Sequence, residues 1–349
     1  MINNKFNLMR IVLIITFLAY QIFPCTTFII KDKKNLVFGR NFDFSTSLGH
    51  VSINKRNLIK TAFIDVPEKK ISWVSKYGSL TFNQIGKELP YGGINEAGLV
   101  IELMWFSETE YPELDNRYGL RELQWIQYQL DNFTSVREII ASKGTVRISQ
   151  QSSTPIHFLM CDKKGNRAVI EYINGKLTYF QGRRLPYAAL ANSSYRSSLR
   201  YLSKVTCKNP PSTSSSYDRF VRAAFLSKKQ RYGKDIIKYS FNVLETINYD
   251  YDSQWSIVYD IKNMIVYYKT EFNQEMRIIS INSIDFSCQT PALYLDIDYP
   301  TTDEFLEYNQ DANRALIENV FNVVEFLQPL PSELRDMLAA YPNSIKPVK

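Results

Sequence analysis

The chain has 349 residues, 45% hydrophobic and 22% charged, which suits one large domain or two small ones and excludes a disordered chain. It carries 42 Lys and Arg against 35 Asp and Glu, a net charge of +7 that on its own permits a nucleic-acid or membrane-surface partner. Only two histidines occur, His50 and His157, so a histidine-rich zinc site is excluded, and no G-x-S-x-G or phosphate-loop pattern appears anywhere.

The first ten residues are polar and carry Lys5 and Arg10, and residues 11–19 are continuously apolar. A basic segment followed by a short apolar core is the layout of a secretory leader, and the run is short for a membrane span. Residues 1–24 are therefore read as a signal or propeptide. The mature chain is exported to the periplasm or the exterior, with no stable membrane span after processing. Without its leader the chain carries 40 basic and 35 acidic residues, a charge of +5 with no basic run, and nucleic acid drops out as a partner. Ile22 and Pro24 are poor residues for signal peptidase, which leaves self-cleavage open as the processing step. A lipid anchor on Cys25 is the competing reading, with the protein then a surface binding module.

Past Cys25 the pattern turns strand-like. CTTFIIK, a turn at DKKN and LVFGRNFDF predict a hairpin, and LVIELMWF (Leu99 to Phe106) predicts a strand after a Gly-rich turn, YGGINEAG. Leu120, Leu123, Ile126 and Leu130 recur at helical spacing, and a second short helix follows with Ser135 as its N-cap. HFLMCD, RAVIEYI and KLTYF predict three strands joined by turns, one of them Asn174-Gly175. Two helices flank the loop-like CKNPPSTSSS, and IIKYSFNVLETI is a third. Three strands follow, around SQWSIVYDIK, MIVYYKT and EMRIISI, and the tail DANRALIENVFNVVEFL is an amphipathic helix ending before Pro329. Hairpins outnumber β-α-β units, which predicts a layered α+β architecture with mostly antiparallel sheets in one domain, residues 25–349.

Four cysteines occur, Cys25, Cys161, Cys207 and Cys288, with no C-x-x-C spacing. Cys161 reads as a buried small hydrophobe; whether Cys207 and Cys288 pair stays open. Cys25 is different. Once the leader is gone, one residue carries both a thiol and a free α-amine. The amine, with a pKa of about 7.7–8.0, takes the thiol proton without any histidine. No cofactor and no metal are called for.

Cys25-Thr26-Thr27-Phe28 and Gly39-Arg40-Asn41-Phe42-Asp43 resemble the N-terminal cysteine region of choloylglycine hydrolases. These linear amide C–N hydrolases include conjugated bile salt hydrolases and penicillin V acylases. The resemblance continues, collinearly, through Asn95 to Leu99, Ala191-Asn192-Ser193, Ser215 to Arg222 and Gln254 to Asp260. It implies a four-layer αββα N-terminal nucleophile fold and a small-molecule N-acyl amide as substrate, cleaved through a thioester. It implies Cys25 as nucleophile and base, Asp43 as the partner of the α-amine, and Arg40 and Arg219 as the cations that favour thiolate. Asn192 would donate to the oxyanion, with the backbone N–H of Trp105 as second donor. Asn95 is carried along on the substrate side, although its place in a turn favours a structural role. From the residues alone, Arg40 with Asp43 could be an ordinary ion pair and Asn192 a helix cap. Trp105 stands where bile salt hydrolases have Asn and penicillin V acylases have Tyr. An aromatic wall there narrows the acyl site and weighs most against a steroid; bile salts, penicillin V and acyl-homoserine lactones are the substrates to compare. A catalytically silent relative is the remaining alternative. The family's tetramer is not carried over, and a homo-oligomer is left open.

Overall fold

The computed structural model of the chain describes residues 24–205, 211–228, 235–248, 253–298 and 304–348. The expected leader, apart from Pro24, and Cys207 of the expected loop lie outside the described residues.

Two antiparallel sheets form the centre. The six-stranded sheet runs, edge to edge, Ala189–Leu190, Thr26–Lys31, Leu36–Phe42, Trp255–Asp260, Ile265–Thr270 and Arg277–Ser280. The nine-stranded sheet runs Lys176–Gln181, Arg167–Ile173, Ile156–Cys161, Val100–Trp105, Pro90–Asn95, Ser79–Asn83, His50–Asn54, Leu293–Asp296 and Leu306–Glu307. The hairpins expected from the turn residues are present: Thr26–Lys31 with Leu36–Phe42, and the three strands around Asn166 and Asn174-Gly175.

The strand period of two explains how the layers stack. In Ile156–Cys161, Leu159 and Cys161 enter the core between the sheets, beside Phe28, Phe38 and Phe82. Ile156, Phe158 and Met160 point the other way, into a second core under helices Glu122–Asn132 and Val136–Ser142. Helices Tyr195–Leu202, Ser216–Ser227 and Ile236–Ile247 cover the far face of the six-stranded sheet. The order of layers is helix, sheet, sheet, helix, an α+β αββα architecture. Leu36–Phe42 is covered on both faces and buried at every position, Arg40 and Asn41 included.

Two of the expected elements take a different form. The Gly-rich segment read as a turn is strand Pro90–Asn95, and the turn is only Glu96 to Gly98. Its glycines serve close approach: a Cβ on Gly92 would collide with the Glu102 carboxylate, and one on Gly93 with the Leu80 carbonyl. The tail holds two helices, Gln310–Val323 and Ser332–Ala340. The second starts straight after Pro331, where Pro is tolerated because helix-start N–H groups lack partners anyway.

Candidate active site

The first hairpin sets the site. Thr26 lies opposite Asn41 and Thr27 opposite Arg40, so the register brings residues 40–43 level with Cys25. Cys25 is buried, and its Sγ–H donates to the Asp43 carbonyl at 3.9 Å. Burial pushes the thiol above its ordinary range, with Arg40 pulling hardest in the other direction. In the described chain Pro24 is still joined to Cys25, and the Pro24 carbonyl accepts from Arg219 Nη1.

Arg40 is fully buried and pairs with Glu102, whose side chain is equally buried, instead of forming an ion pair with Asp43. Its Nη1 also donates to the Tyr91 carbonyl at 3.3 Å, and its guanidinium lies 5.0 Å from the Phe42 ring centre. The second Glu102 oxygen accepts from Tyr259 Oη. Burial holds Glu102 up at about 7 despite Arg40. Asp43 accepts from Ser253 Oγ at 2.5 Å, and Ser253 accepts from Asn248 Nδ2 at 2.7 Å. Burial raises Asp43 to about 6, against that hydrogen bond and the charges of Arg219 and Arg40.

Arg219 lies one turn into helix Ser216–Ser227, which Ser215 caps. From there Nη1 reaches the Cys25 carbonyl at 2.7 Å and Thr26 Oγ1 at 2.5 Å, Nε reaches the Ser214 carbonyl at 3.0 Å, and Nη2 reaches Asn192 Oδ1 at 2.7 Å. Asn192 Nδ2 in turn donates to the Trp105 carbonyl at 2.9 Å. Asn192 is not a helix cap: Ser194 caps Tyr195–Leu202. Arg222, the neighbouring candidate, ties the carbonyls of Pro211, Thr213 and Ile247 and is a packing residue.

The structure therefore gathers Cys25, Arg40, Asp43, Asn192, Arg219 and the Trp105 backbone. Asn95 is engaged elsewhere and is a correction to its placement on the substrate side. Its Nδ2 donates to the Leu130 and Phe133 carbonyls, and its Oδ1 accepts from the Ala97 and Leu99 amides. All its hydrogen-bonding capacity goes into fastening a turn to a helix end. Glu102 and Tyr259 are the participants the sequence reading missed. A lone carboxylate inside the apolar run LVIELMWF was the available signal, since a buried charge needs a partner.

Cys25 forms part of the wall of an apolar cavity of about 130 Å³. Leu103 and Trp105, alternate residues of one strand, form part of its wall, with Phe42, Phe44 and Phe321. Leu330, Leu334 and Leu338 of the C-terminal helical region close it. Cys161, the other thiol expected to be buried, is pushed up to about 12 by burial, as an inert core cysteine would be. Among the described residues no group of three or more His, Cys, Asp or Glu is spaced to hold a metal, and no helix is long and apolar enough to cross a membrane.

Comparison with known proteins identifies the family and the fold. The family described as linear amide C–N hydrolases, choloylglycine hydrolase family, matches residues 25–214. Penicillin V acylase of Pectobacterium atrosepticum is 25% identical over 263 residues, 62% of this chain and 69% of that protein. Penicillin V acylase of Agrobacterium tumefaciens superposes with a TM-score of 0.71 at 23% identity, covering 82% of this chain and 98% of that one. A variant of the conjugated bile acid hydrolase of Clostridium perfringens superposes at 0.64 and 19% identity, covering 82% and 97%. The two sheets and their helical covers are the N-terminal nucleophile hydrolase fold, and the chain belongs to the choloylglycine hydrolase family, as a hydrolase of non-peptide C–N bonds in linear amides.

Proposed function

We propose that the mature protein is an exported amidase whose N-terminal residue is Cys25, cleaving N-acyl amides through a thioester. The convergence of Asp43, Arg219 and, through Arg219, Asn192 on Cys25, which itself lines the apolar cavity, carries this reading. The family match beginning at residue 25 supports it. After removal of residues 1–24, the α-amine of Cys25 lies beside Asp43, which orients it and stabilises its protonated form. The amine takes the thiol proton, and the thiolate attacks the amide carbonyl carbon. Asn192 Nδ2 and the backbone N–H of Trp105 receive the oxyanion; a lost donor of this kind costs about 100- to 1000-fold. In its ladder Phe106 donates to the Pro155 carbonyl, so Trp105 turns its own peptide groups away from that strand, toward Asn192. Collapse of the tetrahedral adduct breaks the C–N bond, and the ammonium gives its proton to the leaving amine. Water then attacks the thioester, the α-amine takes the water's proton, and acid and thiol are released.

The acyl group we propose is apolar and ring-sized. An apolar cavity of roughly 150 Å³ accommodates benzene, and the cavity here, about 130 Å³, is of that order. That size favours a single-ring acyl group, of the kind penicillin V carries, over a steroid. The test is amine release from penicillin V, a bile salt conjugate and an acyl-homoserine lactone by the secreted protein, with N-terminal sequencing. Turnover should be lost in Cys25→Ala and in a chain bearing one extra residue before Cys25. Full activity of either would sink the mechanism.

A further inference from the structure

His157 takes no part in the chemistry above, yet it is fully buried and touches the chain neighbours of both Asn192 and Trp105. It lies in strand Ile156–Cys161, on the side facing the other sheet, directly opposite Met104. Its Nε2 is 2.7 Å from the carbonyl of Ala191, the residue before Asn192. A carbonyl only accepts, so Nε2 carries the hydrogen. Its ring stacks on Phe106, the residue after Trp105, with centres 4.6 Å apart and planes within 16°. Its Nδ1 faces Glu171 Oε1 at 3.4 Å, and that same oxygen accepts from the Tyr195 amide at 2.6 Å.

These contacts form a frame. The segment from Ala191 to Tyr195 is pinned at one end by His157 and at the other by Glu171, with Asn192 between them. The strand end bearing Trp105 is fixed against the same imidazole through Phe106. We infer that His157 is a positioning residue, the keystone that sets the distance between the Asn192 amide and the Trp105 backbone and thereby shapes the oxyanion hole. The inference rests on the proposed amidase mechanism. It explains why a hydrogen-bonding ring is buried in a strand whose same-side neighbours, Leu159 and Cys161, enter the apolar core. A misplacement of about 1 Å at such a site costs on the order of 100-fold in rate.

The test compares His157→Phe, which keeps a ring to stack on Phe106 but loses the hydrogen bond to Ala191, with His157→Gln, whose amide still donates to the Ala191 carbonyl. Steady-state kinetics of the secreted protein are read beside the rate of Cys25 alkylation by iodoacetamide. We expect the Phe variant to lose kcat by at least tenfold with KM within threefold of wild type. We expect the Gln variant to recover most of kcat, and alkylation to be equal in all three, because the nucleophile itself is undisturbed. If the Phe variant does not fold, His157→Asn, whose shorter amide stops short of Ala191, replaces it with the same readings. Wild-type kcat in the Phe or Asn variant overturns the inference. So does a parallel loss of kcat and alkylation that Gln does not restore, which marks a general packing role. A wild type that turns over no amide overturns the amidase reading and this one with it.

Discussion

Arg219→Lys separates charge from geometry at the site. The guanidinium bridges two groups of acceptors: Nη1 serves the carbonyls of Pro24 and Cys25 and Thr26 Oγ1, while Nη2 serves Asn192 Oδ1 and Nε the Ser214 carbonyl. A lysine keeps the positive charge near Cys25, but its single nitrogen cannot span both groups. If it stays with the N-terminal strand, Asn192 Oδ1 loses its partner and only the Trp105 carbonyl still orients the amide. A buried hydrogen bond to a charged group is worth about 1.5–3 kcal/mol, so the Asn192 contact alone predicts a 10- to 100-fold loss in kcat with KM little changed. Arg219→Gln removes the charge as well; because Arg219 is one of the groups lowering the Cys25 thiol, alkylation of Cys25 at pH 7 should slow further. The assay is amine release from the preferred substrate, with iodoacetamide alkylation and urea unfolding in parallel. A natively folded Lys variant within threefold of wild-type kcat would refute the reasoning, as would Gln and Lys variants with the same alkylation rate.

Two further substitutions address the buried charges. Glu102→Gln leaves Arg40 without a carboxylate in a fully buried setting, a loss of about 3–5 kcal/mol in urea unfolding. Because burial holds Glu102 up at about 7, above its ordinary 4.5, the folded wild type binds this proton more tightly than the unfolded chain and loses that contribution as pH rises to about 7, so the penalty should shrink from pH 5 to pH 8; one that grows with pH contradicts this. Asp43 behaves in the sense of a raised carboxyl while Pro24 remains joined to Cys25. The native state binds the proton more tightly than the unfolded one, so its contribution is complete below about pH 4 and is lost as pH rises to about 6. With the ordinary value at 3.8, that is on the order of 3 kcal/mol, and Asp43→Asn should remove this share of the slope between pH 4 and 6. Unfolding midpoints of the unprocessed chain at several pH values decide it, and an unchanged slope tells against it.

What the sequence disclosed about the fold follows the physics of each signal. Hairpins marked by Asn174-Gly175 and by DKKN were legible because turn chemistry is local. Helix Val136–Ser142 was legible to its cap, since Ser135 accepts from the Glu138 amide as that residue type predicts. Pro90–Asn95 was not, because Gly92-Gly93 signals a turn wherever no neighbour is visible, and the need for glycine there comes from the Glu102 carboxylate and the Leu80 carbonyl on adjacent strands. Helix Ser332–Ala340 was hidden behind Pro329 and Pro331, which end one helix and admit the next with equal ease.

The site divides along the same line. Residues proposed from chain position or motif, Cys25, Arg40, Asp43, Asn192 and Arg219, could be named in advance, and the hairpin register brings the first three together. Their supports could not, because support is defined by partners distant in sequence: Glu102 lies 62 residues from Arg40, and Tyr259 lies 157 from Glu102. Yet two of the supports left the same mark, a single polar or charged side chain inside an otherwise apolar strand. Burial makes such a residue costly unless every polar atom is met, so its presence implies a partner even when the partner cannot be named. Glu102 in LVIELMWF and His157 in IHFLMC both carry that mark, and in the folded chain one braces the cation beside Cys25 while the other braces the segment that holds Asn192.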